Sequence, residues 1–266
     1  MRRLALLLAF VASAAGAQDR IPSHCIAVAD SAPGIEYVQL AAHTDPVAAD
    51  TVRIRYLQHS MFLIQTAGGL SVATDFTGFM GAADFVPTVV TMNHAHSSHF
   101  TAFPDPRIPN VLPGWGAFGE GIDHYLDLGE MLVRNVSTDI RSGFGGVEAN
   151  GNSIFVFEVA GLCIGHLGHL HHKLTNEQLA QIGRLDILFV PVDGSYTLNL
   201  AEMTEVVRQL RTRLVIPMHY FAGSSLQRFI AGLRDGFQIE VMKEPVTVVS
   251  VTTLPQRPTV RVLPGY

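Results

Sequence analysis

Three histidines within six residues follow a run of apolar residues in the first half of the chain. The run, at positions 85–90, is rich in β-branched residues and predicts a buried β-strand, so the histidines fall on the loop at its carboxyl end. His94 and His96 are two apart in extended chain and point to the same side, and His99 approaches from the next turn. Because imidazole is the commonest metal ligand, this loop is a candidate metal site. The alternative is a polar loop with surface histidines.

A second group of histidines follows another short predicted strand, at residues 162–164. This group consists of His166, His169, His171 and His172. Four imidazoles in seven residues are more than one ion can bind from a single loop. We expect His171 and His172 to be solvated, because they lead into a predicted helix start at Thr175.

Polar candidate residues recur at the ends of the predicted strands. Asp75 follows a strand at 70–74, and His219 follows one at 214–218. Further strands are predicted at 52–57, 61–66, 131–133, 153–159, 186–192, 246–251 and 259–263, and helices at 200–211 and 225–233. Two β-sheets packed face to face, with helices outside and a metal site at one edge, satisfy this pattern.

The segment 100–130 is rich in proline and glycine and predicts a long irregular loop beside the candidate site. It holds the only tryptophan, Trp115, and also Phe118. The two rings either line a substrate pocket or pack the loop onto the core, and the sequence is compatible with both.

The first 17 residues are typical of a secretory signal peptide. Arg2 and Arg3 precede an apolar run, and small residues at 15–17 suit cleavage before Gln18. The run is too short to span a bilayer, and no later apolar segment is long enough. We therefore expect a periplasmic or secreted protein without a membrane span. Residues 18–50 predict an N-terminal extension with one short helix near 36–42, and residues 51–266 predict one domain.

Charge and cysteine content narrow the possible partners. Without residues 1–17, which carry two arginines and no acid, the formal charge changes from −5 to −7. This excludes an extended basic surface for nucleic acid, and we expect a small molecule as the partner. The two cysteines, Cys25 and Cys163, can form a disulfide in an oxidising compartment, and two free thiols are equally compatible with the sequence.

Four motifs, in order along the chain, resemble those of the metallo-β-lactamase superfamily, in particular its ascorbate-phosphate-lactonase-like branch of small hydrolases. They are Tyr-Leu-Gln-His-Ser-Met-Phe-Leu-Ile at 56–64, His-Ala-His-Ser-Ser-His at 94–99, Ile-Gly-His-Leu-Gly-His at 164–169 and Val-Ile-Pro-Met-His-Tyr at 215–220. The resemblance covers roughly residues 51–252. It implies an α/β fold, an αββα sandwich of two mixed sheets flanked by helices.

Three positions depart from the ligands that the resemblance implies. Ser98 stands where the family has an aspartate that binds the second metal, and His169 stands where it has the aspartate that bridges both ions. The histidine expected near 139–141 is absent, since the residues there are Asp139, Ile140 and Arg141. A two-metal site with a bridging carboxylate is therefore not expected.

Nitrogen ligands in place of carboxylates favour one borderline ion over two. We expect one divalent ion, with zinc first and iron, copper or nickel as alternatives, on His94, His96, His99, His169 and His219. Asp75 would orient a histidine or act as a base, and His59 would support the ligands.

These residues are compatible with two main functions. The first is an exported, metal-dependent hydrolase of a small ester, lactone or phosphoester. The second is a metal-binding protein that does not hydrolyse, such as a carrier, sensor or redox site. A structural relic without metal is a third interpretation.

Overall fold

The computed structural model describes residues 23–26, 43–81, 84–143, 145–221 and 223–265. The predicted signal peptide and the helix predicted near 36–42 lie outside these residues. The described strands are β1 (Val52–Gln58), β2 (Met61–Thr66), β3 (Ser71–Ala73), β4 (Val89–Met92), β5 (Asn110–Pro113), β6 (Tyr125–Asp127), β7 (Met131–Arg141), β8 (Val147–Val159), β9 (Leu162–His166), β10 (Ile187–Pro191), β11 (Leu214–Met218), β12 (Gln238–Val241), β13 (Val246–Val249) and β14 (Thr259–Val262). The described helices are α1 (Asn176–Ile182), α2 (Leu200–Leu210) and α3 (Gly223–Leu233).

The strands form two mixed sheets, which confirms the predicted fold class. One sheet has six strands in the order β13-β1-β2-β3-β4-β5, and the other has eight in the order β12-β14-β11-β10-β9-β8-β7-β6. In the six-stranded sheet β3, β4 and β5 run parallel, and in the eight-stranded sheet β9, β10, β11, β14 and β12 run parallel. The carboxyl ends of parallel strands therefore meet at one edge of each sheet.

The main core lies between the two sheets. Phe62 from β2 stacks on Phe189 from β10 with ring centroids 4.1 Å apart, and Phe155 and Phe157 from β8 are also fully buried. Burial of each such ring stabilises the fold by about 1.5–3 kcal/mol. This packing holds the two sheets, and hence their strand ends, in a fixed relative position.

The two outer faces are covered differently. Apolar residues at helical spacing in α2, including Met203, Val206 and Val207, pack on the eight-stranded sheet together with α1 and α3. In the described residues the outer face of the six-stranded sheet contacts irregular segments instead, through Phe76 and Ile108.

The strand predicted at 85–90 is wrong in position, because the observed strand β4 begins only at Val89. Phe85 and Val86 instead pack against the outer cluster, the buried apolar residues around Phe76 and Ile108 on the outer face of the six-stranded sheet. Pro87 cannot donate a hydrogen bond to a neighbouring strand, which favours a start after it. The histidines still follow the end of the strand, since β4 ends at Met92.

The predicted irregular loop at 100–130 is also wrong in part, because it contains β5 and β6. β5 extends the six-stranded sheet beside β4, and β6 pairs with β7 at the edge of the other sheet. Trp115 packs edge-on against Phe100 in the outer cluster, with ring centroids 5.5 Å apart, whereas Phe118 is exposed. Trp115 thus packs this segment onto the fold.

A disulfide joins Cys25 to Cys163 at the start of β9, with the two Cα atoms 5.8 Å apart. Of the two alternatives that the sequence allows, the structure contains the bridge. It ties the described segment 23–26 to the eight-stranded sheet. No helix in the described part of the chain is long and apolar enough to cross a membrane.

Candidate metal centre

Six strands end around one cluster of imidazoles and carboxylates. The residues that follow these ends are His59 after β1, Asp75 after β3, His94 to His99 after β4, His169 after β9, Asp193 after β10 and His219 after β11. Three of the rings come closest together, because the ligand nitrogens of His59, His99 and His219 all lie within 4.8 Å of one another. This trio is the candidate metal centre.

Buried carboxylates determine the orientation of two of these rings. The Nδ1 atom of His99 lies 2.6 Å from Oδ2 of Asp75, and both side chains are fully buried. The Nδ1 atom of His219 lies 3.0 Å from Oδ1 of Asp193. An ionised carboxylate only accepts hydrogen bonds, so Nδ1 of His99 carries the proton. Nδ1 of His219 makes a charge contact without hydrogen-bond geometry, and the negative charge beside it favours the proton on the same nitrogen, so the Nε2 of each ring presents a lone pair.

The two lone pairs face each other across a short gap. Nε2 of His99 and Nε2 of His219 are 3.2 Å apart. A cation between them turns this repulsive contact into an attractive one. At a zinc–nitrogen distance of about 2.0–2.1 Å, such a spacing corresponds to an angle of roughly 100–105° at the ion, close to tetrahedral. The donor set therefore fits a divalent metal.

His59 adds a third nitrogen. Its Nε2 is buried and has no hydrogen-bond partner among the described residues, and its ring centroid lies 4.1 Å from that of His219. Burial, and the neighbouring rings of His219 and His99, lower the pKa of His59 to about 3, so the ring is neutral near pH 7. A neutral, unpartnered imidazole nitrogen is available as a ligand. The structure thus places His59 beside His99 and His219 as a further candidate ligand, whereas the sequence suggested a supporting role.

The backbone is strained at three residues of this site. His59, Asp75 and His219 adopt positive φ angles of 49°, 48° and 54°. This conformation costs non-glycine residues about 1–2 kcal/mol each. Such strain concentrates at functional sites, where the rest of the fold enforces it. A hydrogen bond of 2.8 Å from the His219 N–H to the His59 carbonyl joins two of these positions.

Burial alone would raise the pKa of the carboxyl groups of Asp75 and Asp193, but hydrogen bonds and neighbouring imidazoles outweigh this effect. Attraction to His99, together with hydrogen bonds from His99 and the Asn93 N–H, holds the pKa of Asp75 below its usual range. Contacts from His219 and Thr197 and backbone N–H groups do the same for the pKa of Asp193. Both groups are therefore ionised at neutral pH, as the ring orientations require.

The remaining predicted ligands surround the trio. Nδ1 of His94 lies 2.6 Å from the Gly151 carbonyl, which leaves its Nε2 free, and His96 is exposed with Nδ1 2.9 Å from Ser98 Oγ. The ring centroid of His169 lies 4.6 Å from that of His99 and 5.2 Å from that of His219. The structure thus gathers all five predicted ligands into one cluster.

His171 is buried, so the expectation of a solvated ring was wrong. Its Nδ1 accepts the Arg141 backbone N–H at 2.7 Å, and its Nε2 lies 3.0 Å from Nδ1 of His169. Arg141 lies in the stretch 139–141, where the resemblance implies a histidine that this chain lacks. Its backbone N–H contacts the site through His171. His172, also expected to be solvated, is only half-buried, and its Nε2 has no hydrogen-bond partner among the described residues.

His166 is satisfied within the core. Its Nδ1 accepts the Gly168 N–H at 3.1 Å, and its Nε2 donates to the Ser60 carbonyl at 2.8 Å. Burial lowers the pKa of this ring. Both nitrogens are used in the neutral form, so His166 supports the loops rather than binding a ligand.

Sequence reasoning missed Asp193. The signal was present, because Asp193 follows a predicted buried strand just as Asp75 does. Nothing in the local sequence, however, links it to His219, which lies 26 positions further along the chain and on the next strand of the sheet.

Aromatic side chains flank the open side of the cluster. Phe221 is 68% exposed, with its ring centroid 5.3 Å from that of His59, and Tyr196 is 64% exposed and packs edge-on against Phe221. Large exposed aromatic rings beside a polar cluster favour contact with a ligand.

Comparison with known proteins agrees with this architecture. The family model of the β-lactamase superfamily domain matches residues 53–219. A UPF0173 metal-dependent hydrolase from Carboxydothermus hydrogenoformans is 33% identical over 191 residues, covering 64% of this chain and 84% of the relative. Another, from Methanosarcina barkeri, is 22% identical over 192 residues, covering 64% and 83%. The crystal structure of a metallo-β-lactamase superfamily protein from Thermotoga maritima has a TM-score of 0.58 and 24% identity, and covers 81% of this chain and 100% of its own.

Two mixed sheets with a histidine cluster at their shared edge define a metallo-β-lactamase fold. The match over residues 53–219 adds the sequence evidence, and the chain belongs to the β-lactamase superfamily. Its relatives are named metal-dependent hydrolases.

Proposed function

We propose that this protein is a metal-dependent hydrolase with a single divalent ion held by His59, His99 and His219. The observation that carries the proposal is the pair of Nε2 atoms 3.2 Å apart, each backed by a buried carboxylate, beside the unpartnered Nε2 of His59. The names of the relatives support a metal-dependent hydrolase.

Each residue has a defined task in this proposal. Asp75 accepts a hydrogen bond from Nδ1 of His99, and Asp193 places its negative charge 3.0 Å from Nδ1 of His219, so that the Nε2 lone pairs of both rings face one point. His94, with its Nδ1 on the Gly151 carbonyl, can add a further nitrogen. A bound divalent ion supplies Lewis acidity and activates water at neutral pH. Zinc suits an all-imidazole set, as do iron, copper and nickel.

The substrate in this proposal is a small ester, lactone or phosphoester with an apolar part. Phe221, with its ring centroid 5.3 Å from that of His59, and Tyr196, which packs edge-on against Phe221, offer an exposed aromatic surface. Binding there would place a polar carbonyl or phosphoryl group toward the imidazoles.

We further propose that the protein is exported. The features that support this are the signal-like residues 1–17 and the Cys25–Cys163 bridge, since disulfides persist in oxidising compartments. Mass measurement of the protein recovered from periplasm and medium would test this. A chain that begins at Gln18 is expected, and an uncleaved cytoplasmic chain would contradict it.

The second candidate function is a metal-binding protein without hydrolytic activity. The observation that favours it is the replacement of two family carboxylates by Ser98 and His169. Both functions use the same ion, so only catalysis separates them.

Element analysis followed by an activity screen tests the proposal. Protein purified without a polyhistidine tag should contain about one ion per chain, and His219→Ala should lose it, whereas His24→Ala, away from the cluster, should retain it. The metal-loaded protein is then assayed with p-nitrophenyl acetate, γ-butyrolactone and bis(p-nitrophenyl) phosphate. Metal-dependent turnover supports a hydrolase, a bound ion without turnover of any class supports the second candidate, and no bound metal contradicts both.

A further inference from the structure

The protonation of His171 is fixed by a backbone hydrogen bond. The Arg141 N–H donates to Nδ1 of His171 at 2.7 Å. A backbone N–H can only donate, so this Nδ1 carries no proton. A ring without a proton on Nδ1 is the neutral form, and its single proton lies on Nε2.

His171 in turn fixes the protonation of His169. The protonated Nε2 of His171 lies 3.0 Å from Nδ1 of His169, which must therefore be the acceptor. The one proton of His169 is thus placed on Nε2. The hydrogen bonds of His169 to other described residues use its backbone N–H and its Nδ1, and none uses Nε2.

This arrangement is the opposite of that at His99 and His219. Their Nδ1 atoms face carboxylates, and their Nε2 atoms offer lone pairs. His169 instead offers an N–H at Nε2, and a protonated nitrogen cannot bind a cation. The sequence, by position, suggested a ligand at His169, but the hydrogen bonds favour a donor.

The donor is held beside the candidate metal centre. The His169 ring lies 4.6 Å from that of His99 and 5.2 Å from those of His94 and His219, between centroids. Its backbone N–H is anchored on Asn152 Oδ1 at 2.7 Å. A substrate oxygen bound at the trio would therefore lie near this ring.

We propose that His169 is a hydrogen-bond donor to the substrate rather than a metal ligand, and that His171 is the positioning residue that fixes its tautomer. This inference rests on the proposed hydrolytic function. In hydrolysis of a carbonyl or phosphoryl group, negative charge develops on an oxygen, and a preorganised neutral donor stabilises it. No proton needs to be transferred by His169 for this role.

Nitrogen NMR of histidine-labelled protein tests the tautomers without a substrate. Long-range proton–nitrogen correlation spectra of the full-length protein, with and without zinc, are assigned by His169→Gln and His171→Gln. We expect both rings as Nε2–H tautomers in each spectrum. A proton on Nδ1 of His169, or a zinc-induced shift of its Nε2 matching that of His219, would overturn the proposal.

Metal content and kinetics of variants separate the donor from the ligands. His169→Ala should keep the zinc content of the parent and lose about 10²–10³-fold in kcat with a smaller change in KM. His169→Gln retains an N–H donor and should recover part of this loss, and His172→Ala, on the same loop, should behave like the parent. Loss of zinc from His169→Ala to the same extent as from His219→Ala would contradict the proposal. Because the tautomer and zinc measurements need no turnover, their failure is distinguishable from a failure of the hydrolase proposal.

Discussion

At the residue scale, two buried carboxylates determine which nitrogen of the neighbouring imidazole carries the proton. Asp75 and Asp193 each face the Nδ1 of a histidine and so choose which nitrogen can bind a cation. At His171 the backbone N–H of Arg141 donates to Nδ1, so the opposite tautomer, with the proton on Nε2, is favoured. Residue identity alone did not reveal these choices, because each depends on a partner from a distant part of the chain.

Replacement of Asp75 by asparagine should weaken metal binding. The amide can present N–H rather than oxygen to Nδ1 of His99, which favours the wrong tautomer and would leave no lone pair at Nε2. Supporting carboxylates of this kind contribute about 10–100-fold to metal affinity. We expect such a loss in zinc competition titrations of Asp75→Asn. Asp235→Asn, at an exposed acid, is the matched control, and equal affinities of the two variants would refute the role of Asp75.

Stability of the metal-free protein should fall as the pH drops below about 6.5. His166 and His171 each have an Nδ1 that accepts a backbone N–H, and the pKa of each is lowered in the folded state. The unfolded chain therefore binds protons that the folded chain does not, and stability present above pH 6.5 is lost on acidification. Between pH 7 and 5 we expect a loss of about 1–2 kcal/mol per ring in chelator-treated protein. Urea unfolding measures it, and a flat profile over this range would be inconsistent with neutral buried rings.

At the scale of elements, the site is built from the turns that follow strands. Sequence patterns identified most of these strands, and with them the positions of Asp75 and His219. The sequence placed His59 at the site only in a supporting role, and its approach to His219 depends on a backbone hydrogen bond that joins the ends of strands from two different sheets. The sequence patterns also misplaced the start of β4, because the apolar residues Phe85 and Val86 pack outside the sheet rather than pair within it.

Gly168 is required by the close approach of the loop that carries His169. It has φ of +59°, and an added Cβ would lie 2.5 Å from Asn152 Oδ1 and 2.6 Å from Asn93. Gly168→Ala should therefore cost more than about 2 kcal/mol in unfolding free energy and displace His169. Gly69→Ala is the control, since Gly69 also has positive φ but no atom within 4 Å of the added Cβ. If both variants lose the same stability in urea unfolding, backbone strain alone would explain the effect.

At the scale of the whole molecule, two sheets and one bridge hold the strand ends in place. The order of apolar strand and helix patterns favoured two packed sheets, and the resemblance of the four motifs implied the αββα sandwich. Neither was sufficient to predict which cysteine state forms, because the approach of Cys25 to Cys163 depends on how the segment before β1 packs against the eight-stranded sheet. The sequence patterns also did not predict the edge strands β5 and β6. Both are short, and the glycine- and proline-rich sequence around them is typical of a loop.

Removal of the bridge should destabilise the fold without emptying the site. Cys25 and Cys163 are 138 residues apart in sequence, and closure of so long a loop predicts a loss of about 2–5 kcal/mol when both are changed to serine. Urea unfolding of the double variant measures this, with the reduced parent protein as a second reference. Zinc content should stay at the parent level, because neither cysteine belongs to the trio. A change below about 0.5 kcal/mol would argue against a stabilising bridge.

Anomalous X-ray scattering at the zinc edge, from crystals of the metal-loaded protein, gives the most direct evidence on the candidate centre. We expect one peak per chain within about 2.0–2.1 Å of Nε2 of His59, His99 and His219, and no contact to Nε2 of His169. A peak bound only by His94 and His96, or two peaks bridged through His169, would contradict the single site held by this trio.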